Sequence, residues 1–300
     1  MLKAGCFAGV LLFVFSCGGV EDSAVVAKNN IQELIAAGDL LKAEELLRLE
    51  LHDDSSNISV HLLLADVLLK KENFSESFSF LQRARALDSN NVEVNLKLSQ
   101  FYLFLKQSEP SIAHANDVLK VDRNNSKAYF LKGMAFKDVG DTTKALSNFQ
   151  TAVEQNPDFY EAFIQLGMIS NARHDPLALD YFNSALILRP SSSEALYAKA
   201  WFYQSEGRNG EALDLYQLIP QSEAQYFNAQ YNSGYLHFIN KNYDLALPFF
   251  SVAAQFKVAK AQYMKGQVFS ALGKKDSASF YYRRCLALDS TFVDAKNRLR

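Results

Sequence analysis

The chain has 300 residues, 31 Lys and Arg against 33 Asp and Glu, a net charge of −2, and 49% hydrophobic residues. Its 13 Gly and 6 Pro are too few for a disordered or collagen-like polymer, and the apolar content suits an ordered, mostly helical chain. The near-neutral balance excludes the strongly basic character of a nucleic-acid binder. Charge is uneven along the sequence, with nine acidic and three basic side chains over residues 21–58 and ten basic and three acidic over 251–300. Both ends read as solvated faces, the basic one around Lys257, Lys260, Lys265, Lys274, Lys275, Arg283 and Arg284.

At the N-terminus, MLK is a short positive segment. AGCFAGVLLFVF follows it and is shorter than the roughly 20 residues a bilayer-spanning helix needs. Val14 is the second-last residue of that run, and Ser16, Cys17, Gly18 and Gly19 follow it. This arrangement resembles a bacterial lipoprotein signal, with an aliphatic residue three before the cysteine, a small residue just before it and glycines after it. The resemblance implies a signal peptide over 1–16, acylation (palmitate included) of Cys17, and a lipidated flexible tether over 17–23. Phe15 departs from the small residue usual at its position, and an ordinary secretory signal with a non-lipidated product is the alternative. Gly18 stands where an Asp would favour inner-membrane retention in that family. The implied location is therefore the bacterial outer membrane, lipid-anchored, on the periplasmic side or at the cell surface; the acidic Glu21 and Asp22 resemble a surface-export segment. With Cys6 removed and Cys17 acylated, Cys285 alone remains, so packing and not a disulfide must hold the fold.

From Gly38 onward, similar stretches recur. GDLLKAEELL starts at Gly38, ENFSESFSFL at Glu72, KQSEPSIAHA at Lys106 and GDTTKALSNF at Gly140, each 34 residues after the last. Looser copies start at Asp175, Gly207, Lys241 and Gly273. Helices that cross closely need small side chains at the crossing. One such position holds Ala43, Ser77, Ser111, Ala145, Ala178, Ala212, Ala246 and Ala278. A second, in the preceding helix, holds Ala65, Ser99, Gly133, Gly167, Ala200, Gly234 and Gly266, with only Ile31 large. Four residues after the first position comes Leu47, Leu81, Ala115, Phe149, Phe182, Tyr216, Phe250 or Tyr282. Cys285 falls at a small, buried position, which makes it a core thiol and not a nucleophile.

The 34-residue period and its phased small and large positions resemble the tetratricopeptide repeat. The resemblance implies an all-α, right-handed α-solenoid of about eight helix–turn–helix repeats over 24–292: units 24–57, 58–91, 92–125, 126–159, 160–192, 193–226, 227–258 and 259–292. Residues 293–300 are expected to form a short C-terminal capping helix. Asp175 and Pro176 read as an N-cap with Pro at the first helical position. Pro220, expected late in a helix, marks a kink between units one to six and units seven and eight.

In that family the first helix of each repeat lines the concave surface. One outward column there is Lys28, Leu62, Leu96, Phe130, Ile164, Tyr197, Tyr231 and Tyr263. A second, four residues on, is Gln32, Asp66, Gln100, Met134, Met168, Trp201, Tyr235 and Gln267. Residues four apart share a helical face. Phe130, Met134, Ile164, Met168, Tyr197, Trp201, Tyr231, Tyr235, Phe238 and Tyr263 thus form one candidate partner-binding stripe, the first column being the more structural and the second the better claimant. Tyr and Trp offer large contact area, and Met adapts to varied partners. The aromatic and Met content argues against the Lys/Asn clamp with which some members hold chaperone tails.

His52, His61, His114, His174 and His237 make no metal-ligand spacing, and no phosphate loop, nucleophile elbow or CxxC is present. No catalytic residue, metal or cofactor is expected. The reading is a lipid-anchored scaffold that binds a protein or peptide partner and supports assembly of an envelope complex. The alternatives are a non-lipidated periplasmic adaptor and a regulatory subunit that presents substrate to an envelope enzyme.

Overall fold

The computed structural model describes residues 31–256 and 258–300. The signal and tether segments, Cys17, Lys28 and Lys257 lie outside them. Every regular element among the described residues is a helix, and the all-α solenoid class expected from the sequence is the one found. The chain divides into two compact units at Arg123–Asn124.

In the first unit, α1 (31–37), α2 (Leu40–Asp53), α3 (Ile58–Lys70), α4 (Phe74–Leu87), α5 (Val92–Phe104) and α6 (Ser108–Val121) follow in order. From α2 on, each helix packs on the next. One core joins Ile31, Leu47, Leu64, Leu68, Leu81 and Leu98. The second unit holds α7 (Ser126–Asp138), α8 (Thr142–Gln155), α9 (Tyr160–Ala172), α10 (Leu177–Leu188), α11 (Ser193–Ser205) and α12 (Asn209–Gln217). It continues through α13 (Tyr226–Ile239), α14 (Tyr243–Gln255), α15 (Ala259–Ala271), α16 (Lys275–Leu288) and α17 (Val293–Arg298). Here too neighbours in sequence are neighbours in space, as in a stack whose repeats bury one another's apolar faces.

The crossing of each helix pair follows from its small residues. All eight at the second-helix position, from Ala43 to Ala278, are buried. Ser77 Oγ donates to the Ala65 carbonyl (2.7 Å), and Ser99 and Ser111 hydroxyls lie 2.9 Å apart. Where the first helix carries Gly, an aromatic fills the space: a Cβ at Gly133 would lie 2.6 Å from the Phe149 ring, and one at Gly167 would lie 2.5 Å from Phe182. Phe149, Phe182 and Phe250 are fully buried as a result, each contributing about 1.5–3 kcal/mol.

The turn between the helices of a pair is equally regular. Gly38, Glu72, Lys106, Gly140, His174, Gly207, Lys241 and Gly273 all have φ between +55° and +81°. The N–H after each bonds back to a carbonyl in the helix it closes, as in Asn73 N–H to Leu68 O and Asp141 N–H to Phe136 O, both 2.9 Å. This left-handed C-terminal closure satisfies carbonyls that the helix end would otherwise strand. Side-chain caps start the next helix, including Asp39, Asn73 and Asp141, each worth about 1 kcal/mol. Asp175 Oδ1 accepts from Leu177 N–H (3.0 Å) beside Pro176, which has helical φ −60°.

The kink expected at Pro220 is not found. α12 stops at Gln217, so Pro220 lies beyond the helix, in a turn whose Glu223 N–H bonds to its carbonyl (3.1 Å). A proline cannot donate to a continuing helix and restricts the residue before it, so Leu218 and Ile219 end the helix and no bent helix forms. The division between compact units falls instead at Arg123–Asn124, where no proline stands. The capping helix α17 packs on α16, with Ala295 buried beside Cys285 and Tyr282.

Candidate functional site

The sequence stripe divides on the structure into a packed column and an exposed one, all within the second unit. Ile164 is 1% exposed. Phe130 is half-buried, its ring centroid 5.5 Å from Phe149 and 5.0 Å from Phe159. Tyr197 lies over Tyr216 (5.6 Å), Tyr231 over Phe250 (5.6 Å) and Tyr263 over Tyr282 (5.7 Å). These first-column side chains cover the buried ring of the second helix and so belong mainly to the core. Phe238, against Tyr243 (5.6 Å), and Met134, packed on the Phe149 cluster, are also half-buried.

Apart from Met134, the apolar residues of the second column behave differently. Met168 and Trp201 are each 46% exposed and Tyr235 39%, large apolar surfaces that a monomer gains little by displaying. α9 and α11, which carry Met168 and Trp201, touch directly. Between them lies a cavity of about 620 Å³ lined by Met168, Asn171, Glu194, Tyr197, Trp201 and Gln225, among others. Trp201 and Tyr197 also line a second cavity of about 250 Å³ with Phe227, Tyr231, Asn232 and Lys260. Of the ten stripe residues, Met168, Tyr197, Trp201 and Tyr231 therefore meet around these two hollows. Phe130, Met134, Ile164, Tyr235, Phe238 and Tyr263 do not line them.

Polar groups around the hollows are held in place. Asn232 Nδ2 donates to the hydroxyls of Tyr197 and Tyr216, both at 3.0 Å. Burial raises the Tyr197 hydroxyl above the ordinary tyrosine value and pushes those of Tyr216 and Tyr231 well above it, so they remain protonated. Ser205 Oγ donates to Asn171 Oδ1 (3.2 Å) at the rim. Lys260 Nζ stands 4.8 Å from the Tyr231 ring centre, a cation–π contact that fixes the ammonium beside the smaller hollow.

Sequence reasoning missed Glu194, Asn228 and Asn232, and it placed Lys260 only in the solvated basic end. A signal was available, because Glu194, Asn228 and Lys260 each stand three residues before a first-column Tyr and share its helical face. In the first unit the second column is polar (Gln32, Asp66 and Gln100). Asp66 meets Lys97 at 2.7 and 2.8 Å beside a cavity of about 350 Å³ that Phe74, Phe101 and Phe104 also line.

Cys285 is fully buried, and burial raises its thiol to about 11, so it is a core residue and a poor nucleophile. No group of three or more His, Cys, Asp or Glu among the described residues could hold a metal ion. No described helix is long and apolar enough to cross a membrane. The arrangement offers rigid aromatic surface, fixed donors and flanking charge, which are means of binding.

Two family models, both described as tetratricopeptide repeat, match the chain, one at residues 126–159 and 259–292 and the other at 176–226. Among curated proteins, cellulose synthase operon protein C of Pseudomonas fluorescens is 24% identical over 177 residues, which are 55% of this chain and 14% of that protein. Among solved structures, the Cut9–Hcn1 hetero-tetramer of the APC/C superposes with TM-score 0.61 at 16% identity, over 95% of this chain and 56% of that one. PilW, a type IV pilus biogenesis factor, superposes with TM-score 0.60 at 19% identity, over 70% of this chain and 98% of its own. The chain thus spans only a small part of the curated relative. The family models match tetratricopeptide repeats over part of the chain, and the solved structures share its helical fold.

Proposed function

We propose that this tetratricopeptide-repeat chain is a lipid-anchored binding scaffold whose second unit receives a protein or peptide segment at Trp201. The observation that carries the reading is the contrast between the two columns. Ile164 and its equivalents are buried or half-buried, as packing requires, whereas Met168 and Trp201 stand 46% exposed along touching helices beside a cavity. Exposed Trp with neighbouring Met and Tyr is the composition of binding hot spots. The lipid anchor at Cys17 and the outer-membrane envelope setting rest on the lipoprotein-like residues of the N-terminus.

The test is photo-crosslinking in cells, with the crosslinking amino acid at Trp201 and, as control, at Ile187. Ile187 is an apolar side chain on α10, 79% exposed. A discrete protein adduct from position 201 and none from 187 supports the groove; equal labelling removes it. Mass spectrometry of the mature N-terminus decides the anchor. A diacylglycerol-modified Cys17 is expected, and an unmodified terminus would leave a non-lipidated adaptor.

A further inference from the structure

We propose that the groove selects a segment in which an apolar side chain is flanked by a basic group on one side and an acidic group on the other. This rests on reading the Trp201 groove as the partner site. Trp201 and Tyr197 line both hollows, so a side chain seated on Trp201 has one hollow to each side. Among the described residues, Glu194 is the one carboxylate lining the larger hollow, and Lys260 the one ammonium lining the smaller. The occupant that fits is a dipolar segment and not a uniformly acidic or basic one.

Neither charge is neutralised by an ion pair among the described residues. Glu194 and Lys260 have no ion-pair partner among the described residues; their recorded contacts are the Tyr160 hydroxyl, 3.3 Å from Glu194 Oε2, and the Tyr231 ring. The contrast lies one repeat earlier. Glu161 stands at the position on α9 that Glu194 holds on α11, and it is paired with Arg189 at 2.8 Å. The carboxylate beside Ile164 thus has an ion-pair partner, whereas the one beside Tyr197 has none among the described residues. An unpaired charge at the edge of an aromatic surface favours a ligand group of opposite sign through a charge-assisted hydrogen bond, and it penalises a like charge. The apolar contact supplies affinity, while the two charges set what may flank it.

The test is selection of random twelve-residue peptides displayed on phage against the full chain and three variants, each first checked for an unchanged melt. Wild type should enrich peptides with an apolar or aromatic residue flanked by opposite charges. Glu194→Lys should enrich acidic residues on both sides, and Lys260→Glu should enrich basic residues on both sides. A wild-type peptide should bind either variant on the order of tenfold more weakly. Apolar anchors enriched with the same flanks by wild type and both charge variants would overturn the charge selection and leave the groove standing. The same peptides enriched by Trp201→Ala as by wild type would overturn the groove itself, and this proposal with it.

Discussion

Gly167 and Phe182 show how single residues fix the register of the stack. With no side chain at 167, the Phe182 ring fills the crossing, and a Cβ there would lie 2.5 Å from it. Gly167→Leu should overpack this contact and cost about 1–3 kcal/mol, read as a lower thermal midpoint; an unchanged melt would mean the pair does not cross there. The turns give a prediction of opposite sign. Glu72, Lys106, His174 and Lys241 hold positive φ at the position where Gly38, Gly140, Gly207 and Gly273 stand in other pairs. An L side chain in that region carries a cost of roughly 1–2 kcal/mol that glycine avoids, partly offset by the greater freedom glycine has when unfolded. Glu72→Gly should therefore raise the midpoint and Gly140→Ala should lower it, each by about 1 kcal/mol or less. The 34-residue spacing made these turns legible in the sequence, but not their backbone sign. Glu, Lys and His carry no mark of a left-handed residue, and only the phase shared with the four glycines places them there.

At the scale of helices, α5 and α6 are joined by a polar contact that periodicity could not foresee. Asn95 Nδ2 donates to the carbonyls of Ser89 (2.8 Å) and Asn91 (2.9 Å), which leaves its Oδ1 to accept from His114 Nδ1 at 2.9 Å. The His114 ring stacks on Tyr102 with centroids 5.5 Å apart. Burial, aided by Arg85 and opposed by Asp117, lowers the His114 value from the ordinary 6.5. The unfolded chain then binds the proton at higher pH than the folded one. Stability from this group is complete above 6.5 and declines as pH falls from there toward the lowered folded value. The thermal midpoint should drop between pH 7 and about pH 5, and His114→Gln should flatten part of that slope. His237, also lowered by burial, contributes in the same direction, so a slope left intact by His114→Gln but removed by His237→Gln would reassign the effect. The end of α12 was misread for a related reason: Pro220 was visible, but whether it bends a helix or follows one depends on where Leu218 and Ile219 pack.

At the scale of the molecule, the sequence revealed the solenoid because its small and large positions keep phase from Ala43 to Ala278. It revealed the proposed binding surface only in part. An aromatic that covers the core and one that faces solvent follow the same helical period, so the expected division between the Tyr197 column and the Trp201 column became definite only with burial. Glu194 escaped notice, and Lys260 was read only within the basic end, because charges on an exposed helix ordinarily mark a solvated face; only the two cavities that share Trp201 give the pair a common setting. That residue also offers the most direct measurement, since it is the one tryptophan of the chain. The partner captured at position 201 should be titrated into the unmodified protein while tryptophan emission and acrylamide quenching are followed, using a partner fragment without Trp. A shift to shorter wavelength and reduced quenching, saturating with binding, are expected if the partner covers Trp201. Saturable binding that leaves both signals unchanged would contradict the account and place the interaction elsewhere on the chain.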